Sequence, residues 1–139
     1  GVPMSVFDDI RYNTRHNRAQ FYQDLTIPVF GYNREGVEIK KSIQDNWWRQ
    51  GMMGGIKAQY DCIEVFSETD FTEDLKSVTI PVLVLHGDDD QIVPYETTAV
   101  KAAELLQNGK LIIYPGFSHG MPTTEAETIN RDILEFINS

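Results

Sequence analysis

The stretch IPVLVLHGDDDQIVP, residues 80–94, constrains the fold more than any other part of this sequence. Residues 82–85 are four consecutive apolar residues without polar alternation, which is typical of a strand covered on both faces in a parallel sheet. His86, Gly87 and the aspartates at 88–90 follow directly. Open α/β sheets place ligands and catalytic groups at the carboxyl ends of their strands. We therefore expect any chemistry to begin where this strand ends.

The pattern after residue 77 predicts two strands that alternate with two helices. Residues 95–107 have the composition of a helix that Asn108 and Gly109 would end, and residues 110–114, KLIIY, predict a second strand. Thr124 and Glu127 have the spacing of a capping box for a last helix. This order implies a right-handed crossover, and the two strands should therefore pair in parallel.

The pattern before residue 78 predicts helices and loops without a strong strand. Helices are expected over 5–25, from about 42 to the glycines at 54–55, and over 56–66, with a capped turn over 71–76. Arginines at 11, 15 and 18 form a basic stripe, which favours a solvated or ion-paired face over a site for an anionic partner. Trp47 and Trp48 lie in WWRQGMMGG, where they could fill a core or line an apolar pocket.

Composition excludes several classes of protein. The 139 residues suffice for one core, and 21 acidic against 12 basic residues give a net charge of −9, which argues against nucleic-acid binding and against a polybasic membrane anchor. No apolar run is long enough for a membrane helix, and we expect a cytoplasmic protein. Cys62, the single cysteine, cannot form an internal disulfide and is expected to be a buried, inert thiol.

A carboxylate and an imidazole should meet at the ends of the two strands. The first strand leads to the aspartates 88–90 and the second to a loop, Gly-Phe-Ser-His-Gly, that contains His119. An acid that orients an imidazole, whose other nitrogen then accepts a proton from a nucleophile, is two thirds of a catalytic triad. The alternative is a solvated acidic turn beside a surface histidine. The order of acid and then histidine on successive strands favours catalysis.

The segments HGDDDQIVP and YPGFSHG together resemble the C-terminal signature of the α/β-hydrolase fold. More narrowly, they resemble the group of cofactor-free bacterial haloperoxidases, perhydrolases and arylesterases, and residues 47–81 resemble the lid and connector of that group. The resemblance implies a helical lid over residues 1–77, followed over 78–139 by two parallel strands alternating with two helices, the C-terminal portion of that fold. It implies Asp90 as the catalytic acid and His119 as the general base, with Asp88 and Asp89 as turn formers. Asp88 is then expected to make local backbone hydrogen bonds.

The sequence departs from the group in lacking the G-x-S-x-G nucleophile elbow. Ser118 adjoins His119, but a loop neighbour provides neither the strained turn nor the oxyanion donors. The chain thus resembles the C-terminal half of an enzyme, and we expect the nucleophilic serine to come from a complementary N-terminal half. The apolar strand edge would otherwise be unpaired, so we expect that half or self-association as a homo-oligomer to cover it, and we expect the chain alone to be inactive.

The resemblance implies serine-type acyl transfer on a small ester or carboxylic acid, with water or hydrogen peroxide as the acceptor and no haem, metal or other cofactor. Trp47, Trp48 and Phe117 are the candidates for the acyl or aryl pocket. A dehalogenase or epoxide hydrolase with an aspartate nucleophile is an alternative from the same fold, and a non-catalytic scaffold is an alternative from another class.

Overall fold

In a computed structural model of the protein, which describes residues 2–139, the chain forms two compact units. The helical unit comprises Val2–Ile27 and Tyr32–Asp70, and the sheet unit comprises Pro28–Gly31 and Phe71–Ser139. The predicted division into a lid over 1–77 and a core segment over 78–139 stays a prediction, and Gly1 lies outside the described residues. No helix within residues 2–139 is both long and apolar enough to cross a membrane.

The described residues before position 70 form three helices: α1, Met4–Val29; α2, Lys41–Met53; and α3, Ile56–Glu68. The long first helix is confirmed, but it is interrupted at Asn17, whose φ of −154° and ψ of 68° are not helical. The Asn17 Oδ1 accepts a hydrogen bond of 3.2 Å from the backbone amide of Gln20. That contact supplies one of the acceptors that a restarting helix needs at its first turn.

Polar contacts hold the helical unit together. Arg18 donates hydrogen bonds of 2.6 Å each to the carbonyl of Gly54 and to Oε1 of Gln59, so it satisfies a carbonyl just past the end of α2. Arg11 forms an ion pair of 3.1 Å with Glu64 on α3. The basic stripe is therefore ion-paired with an acidic side chain at Arg11, one of the two arrangements that the sequence favours. The prediction that Cys62 is buried is wrong, because its side chain on α3 is exposed.

The sheet unit contains two strands and a series of short helices. They are α4, Thr72–Ser77; β1, Val82–Gly87; a 3₁₀ turn, Tyr95–Thr97; α5, Ala99–Leu105; β2, Gly109–Tyr114; α6, Met121–Thr124; and α7, Ala126–Ile137. The single helix predicted over 95–107 is wrong, since Thr98 has φ −129° and ψ −79° and separates the 3₁₀ turn from α5. The predicted capping box is also wrong, because α7 begins after Glu125 without a side-chain cap.

The two strands pair in parallel, as predicted, with Val82 opposite Gly109 and Gly87 opposite Tyr114. Their carboxyl ends therefore coincide at one edge of the sheet. A buried cluster of Tyr114, Met121 and Ile129 lies beside this edge and packs on Leu85, Ile112 and Phe117. Residues 82–86 of β1 are only partly buried by the described residues, whereas the sequence predicts a strand covered on both faces.

Candidate active site

Asp90 and His119 meet where the two strands end. The Nδ1 of His119 donates a hydrogen bond of 2.8 Å to Oδ2 of Asp90, although 29 residues separate them in the chain. The Asp90 side chain is 5% exposed and that of His119 is 43% exposed. Because Nδ1 is engaged by the carboxylate, Nε2 is the ring nitrogen left to exchange a proton with a nucleophile.

The backbone of its own turn holds the Asp90 carboxylate. Its Oδ1 accepts hydrogen bonds from the amides of Ile92, at 2.9 Å, and Val93, at 2.8 Å. Burial alone would raise the pKa of Asp90, but the hydrogen bonds from His119, Val93 and Ile92 outweigh it, and the pKa lies below its usual value. Asp90 is therefore ionised at neutral pH, as an acceptor for an imidazolium must be.

Asp88 and Asp89 join the acidic turn, residues 88–90, to the histidine loop, residues 116–120. The Asp88 Oδ1 accepts a hydrogen bond of 2.6 Å from the amide of Gly116, and the Asp88 amide donates to the Tyr114 carbonyl at 3.1 Å. The Asp89 amide donates to the carbonyl of Phe117 at 3.2 Å. The prediction that Asp88 makes local backbone hydrogen bonds is therefore wrong. The Asp90 side chain accepts the hydrogen bonds of the local turn, whereas the Asp88 side chain accepts one from the histidine loop.

The histidine loop packs tightly on two sides. A Cβ added at Gly87 would lie 2.0 Å from the carbonyl oxygen of Phe117, and one at Gly120 would lie 2.2 Å from the ring of Phe30. The amide of Gly120 donates a hydrogen bond of 2.7 Å to the carbonyl of Val29, and Val29 and Phe30 are buried. The residues around His119 are therefore held by β1 on one side and by the segment Pro28–Gly31 on the other.

Phe117, one of the three candidates for the substrate pocket, stacks on Tyr114. The ring centroids are 5.1 Å apart and the planes differ by 9°, so Tyr114 covers one face of Phe117. The Tyr114 hydroxyl donates a hydrogen bond of 2.6 Å to Asp132 on α7. Burial, with Asp132 beside it, raises the pKa of Tyr114 to about 12. A stack tied to α7 in this way gives the histidine loop a rigid base, and a substrate contact by Phe117 stays a prediction.

Trp47 and Trp48, the other two candidates, belong to α2 of the helical unit. The Trp48 Nε1 donates a hydrogen bond of 2.8 Å to the carbonyl of Ala19, and the Trp47 ring makes an edge contact with Tyr22 at 6.2 Å. Both tryptophans thus have partners within their own unit. A role in binding substrate stays a prediction for each.

Sequence reasoning missed two contributors to this site. His86, the last residue but one of β1, lies 3.1 Å from Oδ2 of Asp90 through its Nε2. Its place at the strand end, directly before a glycine and the aspartates, was the only signal in the sequence. Nothing in the sequence predicts that the segment Pro28–Gly31 contacts Gly120, because the contact joins residues about 90 positions apart. No group of three or more His, Cys, Asp and Glu residues within 2–139 has the geometry to hold a metal ion.

An α/β architecture with a carboxylate and an imidazole joined at the carboxyl ends of parallel strands is that of the α/β hydrolases. The family described as serine aminopeptidase, S33, matches residues 32–127, and the chain belongs to it.

The curated relatives include enzymes of the group expected from the sequence. The chain is 59% identical to a bifunctional esterase/perhydrolase of Acinetobacter calcoaceticus over 100% of this chain and 51% of the relative. It is 54% identical to a non-heme chloroperoxidase of Burkholderia pyrrocinia over 100% of this chain and 50% of the relative. The chain therefore spans about half the length of the curated relatives it matches.

Solved structures confirm the fold. A bromoperoxidase from Bacillus anthracis superposes with a TM-score of 0.91 at 28% identity, over 97% of this chain and 49% of the other. An esterase from Exiguobacterium antarcticum superposes with a TM-score of 0.89 at 19% identity, over 100% and 50%. The second likeness supports the fold alone. The predicted fold class, the C-terminal portion of an α/β hydrolase, is confirmed.

Proposed function

We propose that this chain supplies the acid and the base of a serine-type esterase or perhydrolase. The observation that carries the proposal is the hydrogen bond of 2.8 Å between Asp90 and His119 at the strand ends. The 59% identity to a named esterase/perhydrolase supports it. In this proposal the nucleophilic serine and the oxyanion donors belong to a segment outside the 139 residues.

The proposed reaction is a two-step acyl transfer. The serine hydroxyl attacks the carbonyl carbon of a small ester or carboxylic acid while Nε2 of His119 accepts its proton. Asp90 stabilises the resulting imidazolium, which then protonates the leaving alcohol or water. In the second step His119 accepts a proton from water or hydrogen peroxide, whose oxygen attacks the acyl carbon. The bond from that carbon to the serine oxygen then breaks, the imidazolium returns the proton to the serine, and an acid or a peracid is released. These steps use no metal or organic cofactor.

Three aromatic side chains are proposed to contact the substrate. Trp47, Trp48 and Phe117 would contact the acyl or aryl group, because large aromatic side chains offer apolar surface with few rotatable bonds. The remaining features proposed for the whole enzyme are a cytoplasmic location and a homo-oligomeric state.

A chimera tests the function directly. The segment of the Acinetobacter esterase/perhydrolase that aligns with this chain is replaced by residues 1–139, so that the relative contributes the rest of an enzyme. We expect turnover of an aryl acetate, and peracid formation when acetate and hydrogen peroxide are supplied. The unmodified relative is the positive control.

Matched variants of the chimera assign the roles. His119→Ala and Asp90→Asn should each lower kcat by about 10³-fold or more, the scale of losing a triad member. His16→Ala is the control, since this exposed histidine stacks on Tyr12 within the helical unit. A folded chimera that shows no turnover, or one whose activity survives His119→Ala, would refute the proposal and favour the non-catalytic scaffold.

A further inference from the structure

His86 faces the same carboxylate oxygen as His119. The Nε2 of His86 lies 3.1 Å from Oδ2 of Asp90 and 2.9 Å from the backbone carbonyl of Val93. The side chain of His86 is 15% exposed and that of Asp90 is 5% exposed. Two imidazoles therefore flank one buried carboxylate, and only one of them has a place in the proposed reaction.

The Val93 carbonyl determines where the proton of His86 lies. A carbonyl oxygen only accepts hydrogen bonds, so a nitrogen 2.9 Å away must carry a hydrogen. Nε2 of His86 is consequently a donor, and its hydrogen lies between two acceptors, the carbonyl of Val93 and Oδ2 of Asp90. A shared hydrogen of this kind ties the side chain of Asp90 to the end of its own turn.

The remaining partners of Asp90 show what His86 adds. Oδ1 is held by the amides of Ile92 and Val93, whereas the partners that residues 2–139 provide for Oδ2 are the two histidines. Rotation of the carboxylate about its Cβ–Cγ bond would displace both oxygens, and the two bonds at Oδ1 restrain it at one of them. A second donor at Oδ2 opposes that rotation and keeps a lone pair directed at Nδ1 of His119. A side chain this buried has little water available to replace a lost donor.

We propose that His86 is a positioning residue, which orients Asp90 for His119 through the hydrogen on its Nε2. This inference rests on the proposed function, since it assigns a second supporting residue to the same acid. In this role His86 acts through Asp90 and not directly on the substrate.

Kinetics of the chimera test the inference. His86→Leu should lower kcat by about tenfold or more, the order of a lost hydrogen bond to a charged group, with KM nearly unchanged. His86→Gln should restore most of the rate, because its terminal amide can donate from near the position of Nε2. In the Asp90→Asn background, the same His86→Leu change should cost less than about threefold, because residues that act through one contact are non-additive.

A readout besides activity separates this inference from the proposed function. In nitrogen-15 spectra of the histidine rings, His86 should be protonated at Nε2, and His86→Leu should shift the Nδ1 proton signal of His119. Those spectra decide the question even in a chimera without turnover. The proposal would be overturned if His86→Leu lowered the rate equally in the Asp90 and Asp90→Asn backgrounds, or if it left the His119 signal unmoved. His86 would then serve only to hold its own turn through the bond to Val93.

Discussion

Replacement of Gly87 by alanine should separate Asp90 from His119. The new Cβ would lie 2.0 Å from the carbonyl oxygen of Phe117 and 2.6 Å from its carbonyl carbon, and both of those atoms belong to the backbone. A tolerable contact needs more than 3 Å, so β1 and the histidine loop must move apart by about 1 Å. That movement would stretch the hydrogen bond of 3.2 Å from Asp89 to Phe117 and the one of 2.8 Å between Asp90 and His119.

This movement should lower both the stability of the chimera and its catalytic rate. Overpacking costs about 1–3 kcal/mol and the strained hydrogen bond about 1 kcal/mol, so the free energy of unfolding should fall by about 2–4 kcal/mol. A misplacement of about 1 Å at a catalytic group lowers the rate by about 100-fold. Urea unfolding and kcat for an aryl acetate, both measured on the chimera, check the two effects.

Gly55→Ala is the matched control. No atom lies within 4 Å of the Cβ it would add, and the φ of Gly55 is −66°, which alanine adopts freely. We expect it to change stability by less than about 1 kcal/mol and to leave kcat unchanged. A Gly87→Ala chimera as stable and as active as the Gly55→Ala chimera would refute the reasoning.

Three further outcomes follow from the contacts of the sheet unit. The folded-state pKa of Asp90 lies below its unfolded value, so its contribution to stability is complete above the unfolded pKa and is lost as pH falls through the folded one. Asp90→Asn should therefore weaken the pH dependence of the free energy of unfolding as the pH is lowered below the ordinary pKa of an aspartate. Tyr114→Phe should cost about 1 kcal/mol through its bond to Asp132, and an absorbance titration should lose a phenol that ionises at about pH 12 and none at lower pH. Gly120→Ala should cost about 1–3 kcal/mol, and Phe30→Ala in the same chain should recover part of that, since the clash is with the Phe30 ring. Denaturant curves of the single and double variants check the last pair, and additive losses would contradict it.

The pairing of Asp90 with His119 could be predicted because it depends on topology. Two apolar runs separated by a helix imply parallel strands, and parallel strands bring their carboxyl ends together. The contacts that hold the pair could not be predicted in the same way. The bonds from Asp88 to Gly116 and from Gly120 to Val29 join distant parts of the chain and leave no periodic trace in the sequence.

Two predictions from the sequence are wrong for reasons that lie in the local structure. Helical composition over 95–107 does not reveal that the hydroxyl of Thr98 bonds the Pro94 carbonyl at 2.6 Å, a side-chain contact that competes with regular helix. The usual burial of cysteine predicts that Cys62 is buried, yet its side chain on α3 is exposed. In both cases a general preference of the residue type was overridden by a contact or a direction that only the folded chain determines.

The bonds that Asp88 and Asp89 make to Tyr114, Gly116 and Phe117 extend the pairing of the two strands past their last residues. The acidic turn and the histidine loop should therefore open and close as one cooperative element instead of fluctuating separately. In hydrogen exchange, the amides of Asp88, Asp89 and Gly116 should then share a single opening free energy. Asp90 and His119 lie on these two segments, so they should keep their mutual geometry through such an opening.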